Sequence, residues 1–136
     1  VSYYRELTPR QEPYDMGPDN AGLARVGFNL DAVKRPGSDT YADEVRAYLI
    51  AGQIIAARSI LVGSAGDQPD GTTAFLLILE SPGVNPLRTH NSVSTPAYQR
   101  PTLEIIAKGK SYSSCMSLAR RAYDRLVGVR NATISA

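Results

Sequence analysis

The sequence predicts an α+β fold, a mostly antiparallel sheet of about four to five strands with two helices packed on one face. Three stretches carry that expectation. Residues 24–34 alternate, with Ala24, Val26, Phe28, Leu30 and Ala32 on one side and Arg25, Asn29 and Asp31 on the other. That is the period of a strand with one buried face. Thr73 to Leu79 is an unbroken apolar run, short enough for a central strand covered on both faces. Tyr112, Cys115, Met116, Ala119, Ala122, Tyr123 and Leu126 recur at three and four residues, the stripe of an amphipathic helix.

The remaining elements follow in order. Ser2 to Leu7 reads as a short strand, and Met16 to Gly22 is a dense turn cluster before the strand at 24–34. Pro36-Gly-Ser-Asp39 breaks the pattern, and a helix is expected from about Thr40 to Val62. Thr40 and Asp43 stand at capping spacing, and Asp43 and Glu44 suit the positive end of a helix. Val45, Tyr48, Leu49, Gly52, Ile55 and Ala56 would form one apolar row of that helix, and Ile50, Ile54, Ala57 and Leu61 a second. Two rows mean burial on two sides, either within the fold or against another subunit. Ile50, Ile54, Ala57 and Leu61 are therefore the candidate subunit-interface residues.

Asp67-Gln-Pro-Asp-Gly71 is a loop, and Ser81-Pro-Gly83 is expected to end the apolar strand. Residues 84–99 read as a long connection or weak strand, and Thr102 to Lys108 as another strand. Ser111 caps the second helix, whose wet face holds Ser117, Arg120, Arg121, Asp124 and Arg125, and Gly128 stops it. Ala132 to Ala136 begins an extended segment.

A length of 136 residues suits a single domain with one core. The net charge of +2 does not mark a dedicated nucleic-acid binder, but its distribution is uneven. Residues 1–80 hold seven Lys/Arg against eleven Asp/Glu, and residues 81–136 hold eight against two. Such asymmetry fits charge-complementary packing between subunits or a basic surface near a polyanion; it also arises when solvated faces fall unevenly between halves. Cys115 stands alone, so no internal disulfide is available. No run of about 18 apolar residues appears, and no basic-then-apolar leader opens the chain. Without such a leader, the sequon Asn131-Ala-Thr133 is expected to be a chance match.

Catalytic signals are sparse. The one histidine, His90, lies in a polar Thr-His-Asn loop, where a solvated side chain is the ordinary expectation. Cys115 falls on an apolar helix stripe, where a thiol behaves as a small hydrophobe. One Cys and one His cannot assemble a zinc constellation. Asp67 and Asp70 fit a turn better than a calcium loop. Asp15, Asp19 and Asp31 could gather round a cation, yet Asp19-Asn-Ala-Gly22 is first a turn signature. Arg120, Arg121 and Arg125 make a basic helix face without interleaved aromatics, a weak nucleic-acid signal. No enzyme activity, cofactor or metal is expected.

Three stretches together resemble the tail terminator (tail completion) proteins of long-tailed bacteriophages. One runs from the helix at 42–62 through Asp67-Gln-Pro-Asp-Gly71 and the strand 73–79 to Glu80-Ser-Pro-Gly83. A second is Tyr98-Gln-Arg-Pro-Thr-Leu-Glu-Ile-Ile-Ala-Lys-Gly-Lys-Ser-Tyr112, leading to Arg125-Leu-Val-Gly128. A third, Leu7 to Leu30, carries the Glu12-Pro pair, the Asp19-x-x-Gly22 turn and an Asn-bearing strand, like the closing segment of those proteins. Each motif is soft by itself, and the combination spans nearly the whole chain. The resemblance implies a structural virion protein without catalytic residues. It would form a closed ring, usually of six subunits, that ends the tail tube at the head–tail junction. Its implied partners are further copies of itself, tail-tube proteins and head-completion proteins, with genomic DNA passing through unbound by sequence. Synthesis in the host cytoplasm and residence in the virion follow from the same likeness.

The order departs from the family. Residues 1–36 resemble its C-terminal strands and 41–136 its N-terminal part, with 37–40 as a linker carrying the Gly-Ser pair. The chain is accordingly expected to be a circular permutant, with Val1 close to Ala136 and residues 36–39 forming an exposed bridge. The alternatives are another phage head–tail connector or tail-tube ring subunit, and, from a different class, a small-molecule-binding or enzymatic α+β domain with His90, Tyr98 and Arg100 lining a pocket.

Overall fold

The structure, a computed structural model, describes residues 2–35, 40–63, 69, 72–87 and 98–136, with the side chains of 82–87 left aside. In chain order the elements are β1 Ser2–Pro9, β2 Tyr14–Asp15, β3 Ala24–Lys34, α1 Tyr41–Ala51, β4 Ile60–Val62, β5 Phe75–Leu87, β6 Tyr98–Gly109, α2 Tyr112–Leu126 and β7 Val129–Ile134. They form an α+β fold around one seven-stranded sheet ordered β4-β5-β6-β3-β1-β7, with β2 beside β3. β4 and β5 run parallel, and every other pairing is antiparallel. The sheet is thus larger than the four to five strands expected. β4 lies in sequence read as helix, β7 in a segment read as barely begun, and β2 is only two residues long.

Helix α1 begins as expected. The Thr40 hydroxyl accepts from the Asp43 N–H at 3.2 Å and donates to the Asp43 carboxylate at 2.7 Å, which satisfies a donor of the first turn. The helix ends at Ala51 rather than Val62. Gly52 caps it and Gln53 turns left-handed at φ 55°. The reason is tertiary. Arg125 of α2 passes over this end, stacked 4.0 Å from the Tyr48 ring centroid and donating to the Tyr48 carbonyl at 3.3 Å. A Cβ on Gly52 would stand 2.5 Å from Arg125 Nε. Arg121 donates to the Ile54 carbonyl at 2.9 Å. The Tyr48 carbonyl receives the Gly52 N–H at 3.1 Å as well as Arg125, the Ile50 carbonyl receives the Gln53 N–H at 3.0 Å, and Arg121 fixes the chain just beyond the turn. After a short 3-10 turn at Ala57–Ser59, Ile60–Val62 lies beside Leu76–Ile78 as a strand.

Helix α2 keeps its expected limits, with the Ser111 hydroxyl accepting from Ser114 N–H at 3.4 Å and Gly128 at φ 78° just past the end. Its buried residues are Cys115, Leu118, Ala119, Ala122 and Leu126, so Leu118 joins the stripe. Tyr112, at its edge, is exposed. The stripe rests on Val26, Phe28 and Leu30 of β3, which pair with Ala107, Ile105 and Leu103 of β6. Phe28 meets Tyr123 edge-on, with centroids 5.7 Å apart and rings at 87°.

β5 is buried on both faces, as its composition predicts: Leu76 and Ile78 alternate with Phe75 and Leu77, and none of the four is more than 3% exposed. It continues past Ser81-Pro-Gly83 to Leu87, with register shifts between Ser81 and Val84 and between Val84 and Leu87. Pro82 and Pro86 fall in those intervals and bring no N–H to the ladder.

The face of the sheet away from the helices is partly covered by the segment 10–23. A Cβ at Gly27 would meet the Ile105 carbonyl at 2.6 Å and Met16 Sδ at 2.9 Å, so this close approach needs glycine. Asp19 reaches Lys108 at 3.0 Å and accepts from the N–H groups of Ala21 and Leu23, both at 2.9 Å. The Leu23 N–H first, and then the Lys108 ammonium and the Ala21 N–H, hold the Asp19 carboxyl below the usual carboxylate range. The folded pKa is depressed, so this contribution is complete above the unfolded value of about 4 and is lost as pH falls through the folded value. Asp19→Asn is expected to flatten the acid limb of a Tm-versus-pH curve below about pH 4. An unchanged limb would remove Asp19 as its source.

Candidate interaction surfaces

α1 docks on the sheet through a buried polar cluster. Lys34 Nζ of β3 lies 2.7 Å from Glu44 Oε1 of α1, with side chains 3% and 0% exposed. The Tyr4 hydroxyl donates to the same oxygen at 2.8 Å, and the Lys34 ammonium sits 5.2 Å from the Tyr4 ring centroid and 6.0 Å from that of Tyr41. The Tyr41 hydroxyl donates to the Leu30 carbonyl at 3.2 Å. Burial, then the Glu44 carboxylate, pushes the Tyr4 phenol far above its ordinary range; burial, then Asp31, does the same to Tyr41. Both phenols stay protonated and serve as donors.

The four candidate interface residues do not share a helix face, because α1 ends before three of them. Ile50 is half-buried and borders a shallow hollow of about 470 Å³ with Asp43, Arg46, Ala47, Ala51 and Ala136. Ile54 belongs to the hydrophobic core at 9% exposure. Ala57 is exposed in the 3-10 turn, and Leu61 is half-buried on β4. Of the four only Ala57 is exposed, held beside α1 by the Arg46 bond to its carbonyl at 2.8 Å, and Ile50, though it borders the hollow, also packs against the core.

The arginines of α2 are not a free wet face either. Arg121 and Arg125 tie α2 to the end of α1, and Arg120 lies 3.5 Å from Glu12 and over the Tyr123 ring at 5.3 Å. Cys115 is fully buried, and burial pushes its thiol up. A thiol reagent is expected to label it only after unfolding; rapid labelling of the native protein would mean that α2 opens.

Asp15, Asp19 and Asp31 do not converge. Asp15 accepts from Gly17 N–H, Asp19 holds Lys108, and Asp31 holds Arg10 at 2.8 Å and Thr102 at 2.9 Å. Among the described residues no group of three or more His, Cys, Asp or Glu could hold a metal ion. Asp67, Asp70 and His90 lie outside the described residues, as does the bridge at 36–39. No helix among the described residues is long and apolar enough to cross a membrane.

Tyr98 and Arg100, which with His90 would line a pocket in the small-molecule alternative, stand on β6 facing away from the helices. Around them the sheet gathers a group that periodicity could not reveal. Arg35 lies 5.0 Å from the Tyr3 ring centroid and 5.9 Å from that of Tyr98, which also has Arg5 at 5.9 Å. Beside them Arg130 pairs with Glu6 at 2.6 Å and Arg10 with Asp31 at 2.8 Å. A hollow of about 180 Å³ lies among Glu6, Arg10, Asp31, Arg100 and Thr102. Tyr3 and Arg5 belong to β1, which pairs with β3 through Tyr4↔Lys34 with a register shift bracketing Arg5, and Arg35 follows directly on β3, its N–H donating to the Tyr3 carbonyl at 2.9 Å. Only the pairing of β1, β3 and β6 assembles them.

The class defined by these observations is an α+β protein with both helices on one face of a mixed sheet and an arginine- and tyrosine-rich surface on the other. No protein-family model matches the chain, and no curated protein or solved structure matches it either.

Proposed function

We propose that this chain is a structural ring subunit of a bacteriophage tail, of the tail terminator kind, with its segments in circularly permuted order. One observation carries the reading. β7 lies antiparallel beside β1, with Ser2 opposite Ile134 and Leu7 opposite Val129. Read in the family's order, 41–136 followed by 1–36, β7, β1 and β3 are successive strands that neighbour one another in the sheet, the common arrangement for consecutive elements. Paired strands hold their Cα atoms about 5 Å apart, a gap a short joint spans.

Ring closure needs two different patches on each subunit. β4 and β7 are the outer strands of the main sheet path, and the hollow beside Ile50 adds apolar surface near β7. The reading places the protein in the virion at the head–tail junction, with itself, tube and head-completion proteins as partners. A head–tail connector or tail-tube ring subunit is the nearest variant. The hollow at Arg100, at about 180 Å³, falls short of the ~300–1,000 Å³ of ordinary ligand pockets, whereas those beside Ile50 and Arg121, at about 470 and 490 Å³, lie within that range.

The test is the mass in solution. A ring subunit elutes at a multiple of 14.7 kDa, about six-fold for the family's usual ring, and gives annular particles by electron microscopy. Ile50→Asp is expected to break the ring and leave a folded monomer, whereas Ile54→Asp unfolds the chain because Ile54 is already in the core. A monomer at every concentration, with no annuli, would overturn the assignment.

A further inference from the structure

We infer that the sheet face built from β1, the end of β3 and the start of β6 contacts the sugar-phosphate backbone of duplex DNA. The segment 10–23 covers the β6 end of that face near Gly27 and Lys108, but the other end carries the arginines. Among the described residues it gathers Arg5, Arg10, Arg35, Arg100 and Arg130 against Glu6 and Asp31, with Glu104 on the same face further along β6. Asp31 is engaged by Arg10 and Glu6 by Arg130. Arg5 and Arg35 are exposed and stack on tyrosine rings without a carboxylate partner among the described residues. The surface therefore keeps a positive surplus in a chain whose net charge is only +2.

The side-chain chemistry favours phosphate. A guanidinium fork presents paired N–H donors that match two phosphate oxygens, and stacking on a ring holds the fork pointed outward at reduced entropic cost. The same stacking argues against recognition of unpaired bases. The rings of Tyr3 and Tyr98 already have arginines over them, so a base would have to displace a cation before it could stack. Among the described residues no helix projects from this face to enter a groove, because α1 and α2 pack on the opposite side. The binding is accordingly to the backbone, indifferent to sequence and steeply salt-dependent.

The inference names a contact surface for the DNA that the ring reading brings close, yet it is tested per chain and does not require ring assembly. Binding of a fluorescent 20-base-pair duplex is measured from about 50 to 200 mM salt for the wild type, for Arg5→Gln/Arg35→Gln and for Arg58→Gln/Lys110→Gln. The last pair removes the same charge elsewhere, at exposed positions in the 3-10 turn and beyond β6. Arg5→Gln/Arg35→Gln is expected to weaken binding at about 50 mM salt at least tenfold, and to reduce the log–log salt slope by about 1.8. Arg58→Gln/Lys110→Gln is expected to leave both nearly unchanged. Far-ultraviolet circular dichroism checks that each variant stays folded. Absent binding by the wild type, equal losses in the two pairs, or displacement of the duplex by polyglutamate at matched charge would each overturn the inference. A monomer that binds in this way sinks the ring reading alone, and an annulus that does not bind sinks only this one.

Discussion

Glu44→Gln is expected to lower the stability of the fold by about 3–5 kcal/mol, the cost of stranding a buried charge. Lys34 is 3% exposed and its nearest carboxylate is Glu44 at 2.7 Å. The neutral amide keeps an oxygen that can accept from the ammonium but brings no negative charge, and that acceptor with the faces of Tyr4 and Tyr41 offsets less than the desolvation of the cation. Lys34→Met is expected to cost a similar amount, because among the described residues Glu44 would keep its charge with the Tyr4 hydroxyl as sole donor. Glu44 Oε2 has no hydrogen-bond partner among the described residues even in the intact cluster. The pair is therefore not an optimised network, and replacing all of it is expected to do better than breaking it. Tyr4→Phe/Lys34→Met/Glu44→Leu removes every stranded group together and is expected to recover most of the loss. Urea titrations at constant m decide the matter. A cost below about 1 kcal/mol for Glu44→Gln would mean that water reaches the cluster.

Phe28→Ala is expected to cost about 3–5 kcal/mol, from lost burial and the cavity left behind. Phe28 is 1% exposed at the middle of β3, opposite Ile105 and beneath α2. Its neighbours come from rigid strands and a helix, which limits collapse into the space. Against a typical total of about 5–15 kcal/mol, that loss is a large share of the fold's stability. Phe28→Leu keeps most of the volume and is expected to cost less than about 1.5 kcal/mol plus whatever the Tyr123 contact contributes. The edge-on geometry predicts a coupling of about 0.5–1.5 kcal/mol in a double-mutant cycle with Tyr123→Leu. Zero coupling would reduce the ring pair to simple area burial.

Much of the fold follows from local pattern. The period of two at 24–34, the two-sided run at 73–79 and the stripe of 112–126 encode β3, β5 and α2, because burial of one face or two leaves a direct imprint on composition. The Thr40 and Ser111 caps and the Gly128 stop are as legible, since each satisfies orphan backbone groups within a few residues.

The end of α1 is different. Residues 52–62 hold no proline and keep an apolar rhythm compatible with helix, yet the chain turns at Gly52 and Gln53. Arg125 and Arg121, about seventy residues away, occupy the space beside Gly52 and hold the Ile54 carbonyl just past the turn. The same holds for the surfaces. Ile54 looked like an interface residue and is core, while Arg5, Arg35 and Tyr98 had no common signal in the chain. Sequence by itself determined which segments bury an apolar face and where most of them start, because those are local free energies. Tertiary structure alone decided where α1 stops, that Lys34 meets Glu44, and which arginines share a face. Those outcomes depend on contacts between residues distant in the chain, whose energies no local window contains.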